Sequence, residues 1–317
     1  MMKGKSMAAI LLVTALGLTA CGGQGTGAAA SQEAAQEAQT GEAGGEQSEE
    51  ADGDELTGTD APEASKPEEG TQLDPGFSVE SGSIPEITIE AKQIPDKECF
   101  RFVKDMKTGW NLGNTLDAYS QGKMYGDDIS SEEIWGNPVT TKEMIDTLKN
   151  TGFRTVRIPV TWHNHVTDDG NGPVISEAWL DRVQEVVDYA YDNGMYVILN
   201  THHDNTANIE GEGGYYPDTA HAEESDRYIR GIWTQVAERF KDYDEHLIFE
   251  SLNEPRLAGT DYEWNFNAGV AECKDAAGSI NRLNQLFVDT VRATGGNNVE
   301  RYLMMPGYDA SLAGAVT

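Results

Sequence analysis

The chain has 317 residues, 38% of them hydrophobic, which is ample for one large domain. Its net charge of −31 excludes nucleic acid as a partner, because phosphate binding needs a basic face. A neutral polymer is compatible with such a surface.

The N-terminus reads as an address. Lys3 and Lys5 precede an apolar run from Met7 to Leu18. That run is shorter than the ~20 residues a bilayer span requires and has the proportions of a signal peptide. It ends in "LTAC", residues 18–21, which resembles a bacterial lipoprotein box. The resemblance implies a leader over 1–21, acylation of Cys21, and an extracellular protein held to the cell membrane by that lipid. Residues 22–97 carry 18 acidic residues against three lysines, about half the total charge, and few aromatics. Such a segment buries too little apolar surface to offset chain entropy, so a disordered acidic linker is expected there. It would hold a folded domain over 98–317 away from the membrane.

Beyond residue 97, short apolar runs alternate with amphipathic segments. The runs are "GWNLGN" (109–114), "FRTVRIPV" (153–160), "MYVILNTHH" (195–203), "LIFESLNEP" (247–255) and "RYLMMPGY" (301–308). Thr140 and Glu143 make a capping-box signature for a first helix, with Gly152 as its stop. Ser176 is positioned to cap a second helix, which carries Leu180, Val183, Val187 and Ala190 and ends at Gly194. Ile229, Ile232, Trp233, Val236 and Phe240 share one face of a third. Ser279 is expected to open a fourth, with Leu283, Leu286 and Phe287 inward and Gly295 at its end. Alternating strands and helices predict a parallel sheet covered by helices. No G-x-G-x-x-G opens the first helix, so a (β/α)8 TIM barrel is favoured over an open nucleotide-binding sheet.

Barrel enzymes place their sites at strand carboxyl ends. Those ends supply Asn111 and Asn114, then Arg157, Trp162, His163 and His165, then His202, His203 and Asp204, then Asn253 and Glu254, and finally Tyr308. Pro255 ends its strand and biases Glu254 toward extended geometry. A solvated turn glutamate is the alternative for that position taken alone. "HNH" at 163–165 lacks the basic surroundings of a metal nuclease. In "HHD", adjacent histidines on a strand would face opposite sides, which argues against a metal. Cys99 and Cys273 show no metal-ligand spacing and could pair or stay free.

The motifs "GWNLGNTLDA", "WGNPVTTKEMID", "FRTVRIPVTW", "YVILNTHHD", "LIFESLNEPR" and "FVDTVRATGGNN" together resemble glycoside hydrolase family 5, in particular its subfamily of bacterial endoglucanases and xyloglucanases. The resemblance runs from about residue 98 to the end. It implies an endo-β-1,4-glucanase acting on a β-glucan polysaccharide by retaining double displacement, with no metal or cofactor. Glu254 matches the acid/base, Asn253 the partner of the sugar 2-hydroxyl, Arg157 the arginine that keeps the nucleophile ionised, and His202 the substrate histidine. His203 and Asn114 are expected beside it. Aromatic faces should bind sugar, with Trp135, Trp162, Trp264 and Tyr308 as candidates. Trp110, Trp179 and Trp233 are read as packing residues. A monomer is expected.

The family's nucleophile follows its seventh strand and is expected beyond residue 317. Glu250, four residues before Glu254, would lie roughly 13 Å away at strand rise, too far for a retaining pair. The expectation is therefore a truncated product, inactive or poorly folded when isolated. The alternatives are a xyloglucanase or mannanase, or a glycan-binding surface lipoprotein without catalysis.

Overall fold

The computed structural model describes residues 96–205 and 214–315. The leader, Cys21 and nearly all of the acidic linker lie outside the described residues.

Five short strands form one parallel sheet in the order β1 (Gly109–Asn111), β2 (Thr155–Ile158), β5 (Tyr196–Asn200), β6 (Leu247–Glu250) and β7 (Leu303–Met304). Helices α2 (Lys142–Asn150), α3 (Glu177–Tyr191), α4 (Ala222–Arg239) and α5 (Ala271–Ala293) return the chain between them. Parallel strands in chain order, with a helix returning the chain between each and the next, are four successive β–α units and a fifth strand of the (β/α)8 barrel. All five apolar runs named from the sequence contain one of these strands.

The period of two along each strand sorts the side chains. Val156, Ile158, Val197, Leu199, Leu247, Phe249 and Leu303 face the helices and join the main core with Trp179, Val183, Ile229, Trp233 and Phe287. Ile198 and Ile248 face the other way and pack with Tyr196 and Phe102. Phe102 comes from α1 (Glu98–Met106), a helix the sequence reading did not name. It stacks on Tyr302 at 3.8 Å and meets Tyr196 edge-on at 5.2 Å. At the opposite, carboxyl ends of the strands the same inward-facing columns turn polar.

The helix boundaries follow local chemistry, with two corrections. Ser176 caps α3 by accepting the Trp179 N–H at 3.3 Å. Gly152 and Gly194 lie just past α2 and α3 at φ 105° and 62°, where a side chain would be strained. The capping box at Thr140 does not form. Thr141 is the N-cap, and the Thr140 N–H is taken by Glu132 at 2.7 Å. The fourth helix starts at Ala271 rather than at Ser279, which is buried inside it. The roughly 1 kcal/mol that Gly278 costs a helix is outweighed by burial of Cys273, Ala276, Ile280, Leu283 and Phe287. A hairpin of β3 (Val166–Asp168) and β4 (Pro173–Ile175) was not foreseen. It packs on α4 at Gly231, where a Cβ would come within 2.6 Å of the Pro173 ring. Cys99 and Cys273 are both free thiols.

Candidate active site

One guanidinium organises the floor of the strand-end cleft. Arg157 on β2 donates from Nε and Nη2 to Glu250 on β6, at 2.7 and 2.9 Å. Its Nη1 donates to Asn111 at 2.9 Å, and Nη2 also donates to Asn253 Oδ1 at 2.9 Å. The register puts Asn111, Arg157, Ile198 and Ile248 in one row, with Asn200 and Glu250 two residues further along the same face. One planar fork therefore ties β1, β2, β6 and the turn after β6 together. Glu250 is 8% exposed, so this ion pair is largely withdrawn from water.

The turn Asn253–Glu254–Pro255 follows β6. Asn253 is held by Arg157, whereas the Glu254 side chain is 43% exposed and free to meet a ligand. Arg256 donates to the Glu254 carbonyl at 2.9 Å and lies 3.7 Å from its carboxylate. The same guanidinium sits 4.1 Å over the ring of Trp264, which is 60% exposed. Trp264 is thereby fixed beside the glutamate as an open aromatic face.

A second cluster gathers around Asp117, in the turn after β1. Its Oδ1 accepts the Thr115 N–H at 2.9 Å. Its Oδ2 faces His203 Nε2 at 3.7 Å and His202 Nε2 at 3.8 Å. Burial opposes ionisation of Asp117, but His203, His202 and the turn amides outweigh it and hold the carboxyl below its usual range. His202 is pushed down to about 3, first by burial, then by its electrostatic interactions with His203 and Arg157. It is therefore neutral at working pH. Trp135, 42% exposed, stands edge-on to His203 at 5.5 Å and donates its indole N–H to the Tyr119 carbonyl. Asn114 is exposed at φ 62°, with its carbonyl held by Asn137 at 3.0 Å.

The donor atoms of Asp117, His202 and His203 lie within 4.8 Å of one another, so they are the trio to test as a metal site. The fit is poor. The Asn200 amide nitrogen faces His202 Nδ1 at 3.1 Å, which leaves the ring proton on Nε2, the atom a metal at this point would need. One donor and one acceptor side by side suit a hydroxyl better.

Residues 116–317 match the family model described as Cellulase (glycosyl hydrolase family 5). The chain belongs to this family. Over 219 residues this family 5 chain is 50% identical to endoglucanase A of Ruminococcus albus, covering 69% of the chain and 55% of that protein. It is 47% identical over 232 residues to endoglucanase A of Clostridium longisporum, covering 72% and 42%. A family 5 lichenase from Caldicellulosiruptor sp. F32, solved with cellotetraose, matches with a TM-score of 0.68 at 54% identity, over 74% of this chain and 60% of that one. The chain thus spans about half the length of the curated relatives it matches.

Within the family 5 frame, the structure brings Arg157, Asn253, Glu254, His202, His203, Trp135 and Trp264 to the strand ends. It removes others named from the sequence. Trp162 is not a sugar platform: it is fully buried, and its indole donates to the Asn200 carbonyl at 3.0 Å. Tyr308 is likewise buried, donating to the Tyr262 carbonyl at 2.6 Å and accepting the Leu257 N–H at 3.1 Å. It braces the loop after Glu254 from behind. His163 and His165 are core residues; His165 stacks on Trp179 at 3.8 Å and is pushed down to about 4 by burial.

Asp204 is buried too, accepting from the Trp162 and His163 N–H groups and from the Tyr228 hydroxyl. Trp110, read as packing, does face the helix side against Phe153, yet remains 46% exposed. The argument that only one histidine of "HHD" can face the cleft fails, because β5 ends at Asn200 and strand alternation stops with it. Sequence reading missed Asp117 and Asn200 as site-builders and weighed Glu250 only as a nucleophile, not as the partner of Arg157. For Glu250 the signal was available: it shares the inward face with Arg157.

Proposed function

We propose that the protein is an endo-β-1,4-glucanase that cleaves internal bonds of cellulose or related β-glucans by retaining double displacement. The observation that carries this reading is the exposed Glu254 carboxylate on a turn whose preceding residue, Asn253, is pinned by Arg157. Glu254 protonates the departing glycosidic oxygen and later activates water. Asn253, with its Oδ1 committed to Arg157, offers its amide N–H to the sugar. His202 and Asp117 supply a donor and an acceptor for hydroxyls further along the cleft. Trp264 and Trp135 offer the apolar faces that a β-linked sugar ring covers. Glu250 is committed to Arg157 and is not assigned as the nucleophile; the carboxylate that bonds to the sugar carbon, as the leaving oxygen takes the Glu254 proton, belongs to the whole protein outside the described residues. The names of the matched relatives, endoglucanases and a lichenase, support a glucan as substrate.

The test is a panel of carboxymethylcellulose, mixed-linkage β-glucan, xyloglucan and glucomannan, assayed with the whole protein. Viscosity is expected to fall well before reducing ends accumulate, the mark of internal cleavage. Hydrolysis of none of the four would overturn the proposal. Trp264→Ala and Trp135→Ala are each expected to weaken cellotetraose binding about fivefold, since a stacking face contributes on the order of 1 kcal/mol. Unchanged affinity in both would remove the aromatic platforms from the account.

We also propose that Cys21 carries the lipid anchor, on the strength of the "LTAC" motif after the apolar run. The protein is expected to incorporate labelled palmitate and a Cys21→Ser protein to incorporate none. Equal labelling of the two would rule out lipid at that residue.

A further inference from the structure

We propose that Asn200 is a positioning residue that fixes the imidazole of His202 with its single ring proton on Nε2, facing Asp117 and the cleft. Asn200 is the last residue of β5 and is completely buried. Both ends of its amide are assigned by their neighbours. The Val160 backbone N–H can only donate, and it points at Asn200 Oδ1 at 3.2 Å. The amide nitrogen is therefore turned the other way, 3.1 Å from His202 Nδ1. An amide NH2 donates and does not accept, so Nδ1 must be the acceptor and the neutral ring keeps its proton on Nε2.

The same contact opposes the charged ring, because a proton on Nδ1 would point at the amide hydrogens. The other charged or titratable groups acting on His202 are His203, Arg157, Asp117 and Asp204. Burial, the largest influence, with His203 and Arg157 outweighs Asp117 and Asp204 and keeps the ring neutral; the amide contact decides which nitrogen of that neutral ring holds the proton. The consequence is chemical. Nε2–H and Asp117 Oδ2 stand 3.8 Å apart, too far for a direct hydrogen bond. A hydroxyl placed between them accepts from the imidazole and donates to the carboxylate. The site is thus matched to an alcohol, with its donor and acceptor sides fixed in advance.

The inference concerns where a proton sits and stands apart from the glucanase reading. It is tested by long-range 1H–15N NMR of the histidine rings in the 15N-labelled full chain between pH 5 and 8. The His202 signals are assigned by their loss in His202→Gln. The expected wild-type pattern is an unprotonated Nδ1 and a protonated Nε2, with no titration over that range. Asn200→Asp keeps an acceptor for Val160 but presents a carboxylate oxygen to Nδ1. It is expected to place the neutral ring's proton on Nδ1, which the ring 15N pattern reads directly over the same pH range. A purely structural role for Asn200 would lower stability without moving the proton. A protonated Nδ1 in the wild type, or an unchanged ring pattern in folded Asn200→Asp, overturns the proposal. If that variant does not fold, the wild-type spectrum alone decides.

Discussion

Glu254→Gln is expected to reduce turnover on soluble β-glucan by about a thousandfold, within the 10²–10⁴ range that a positioned acid/base contributes. The amide has the shape of the carboxyl but neither gives a proton to the leaving oxygen nor takes one from water. Folding should be unaffected, because the Glu254 carboxylate is half-exposed and its ion pair among the described residues is the long 3.7 Å approach to Arg256. Substrate chemistry sharpens the result. An aryl cellobioside has a leaving group that departs without a proton, so its first step should survive the substitution. Its second step still needs a base, and product release should stall after one turnover. Azide needs no base to attack the sugar carbon and should restore the rate. A Gln variant that keeps more than one-tenth of wild-type turnover on β-glucan would remove Glu254 from the acid/base role.

Arg157→Met should damage both stability and catalysis. It removes four hydrogen bonds and leaves Glu250, 8% exposed, as a buried carboxylate with no cation. Breaking one side of a buried pair costs about 3–5 kcal/mol. For a domain of this size that lowers Tm by roughly 10 °C. Arg157→Lys should recover little, because an ammonium cannot make the two parallel bonds to Glu250 while also reaching Asn111 and Asn253. The double variant Arg157→Met, Glu250→Met should be more stable than Arg157→Met alone, since the stranded charge goes with its partner. Catalysis should fall in all three, because Asn253 loses the contact that orients it beside Glu254. Denaturant unfolding measures the first effect. A loss under 1 kcal/mol for Arg157→Met would show that the network does not hold the strand ends together.

Much of this molecule was legible because its signals are local. The strands are apolar runs bounded by Gly and Pro, and the helices repeat their apolar residues at 3.6. Pro255 marks the turn that carries Glu254, although β6 itself stops earlier, at Glu250. Trp179 and Trp233 sit on helix faces whose period gives their burial directly. The side chains in the connecting loops were not legible in the same way. Trp162 and Trp264 both follow a strand, and nothing in the neighbouring residues separates them. The first is swallowed because the loop after β2 turns inward, where Asp204 accepts its backbone N–H and Asn200 its indole. The second stays open because Arg256 covers one of its faces and solvent the other. Tyr308 looked like a cleft residue from its place at a strand end, but its hydroxyl is spent on two backbone groups of another loop.

The sequence by itself determined the parallel alternation of strand and helix, the family, and the carboxylate before Pro255. Each of these is written in residues a few positions apart, through periodicity and backbone restriction. Only the tertiary structure decided that Arg157 closes on Glu250, that Asp117 stands opposite both histidines, and that an asparagine on β5 dictates a proton on His202. These pairs are distant in sequence or depend on which way a loop turns after its strand ends. Their partners are set by sheet register and packing, which no local pattern encodes.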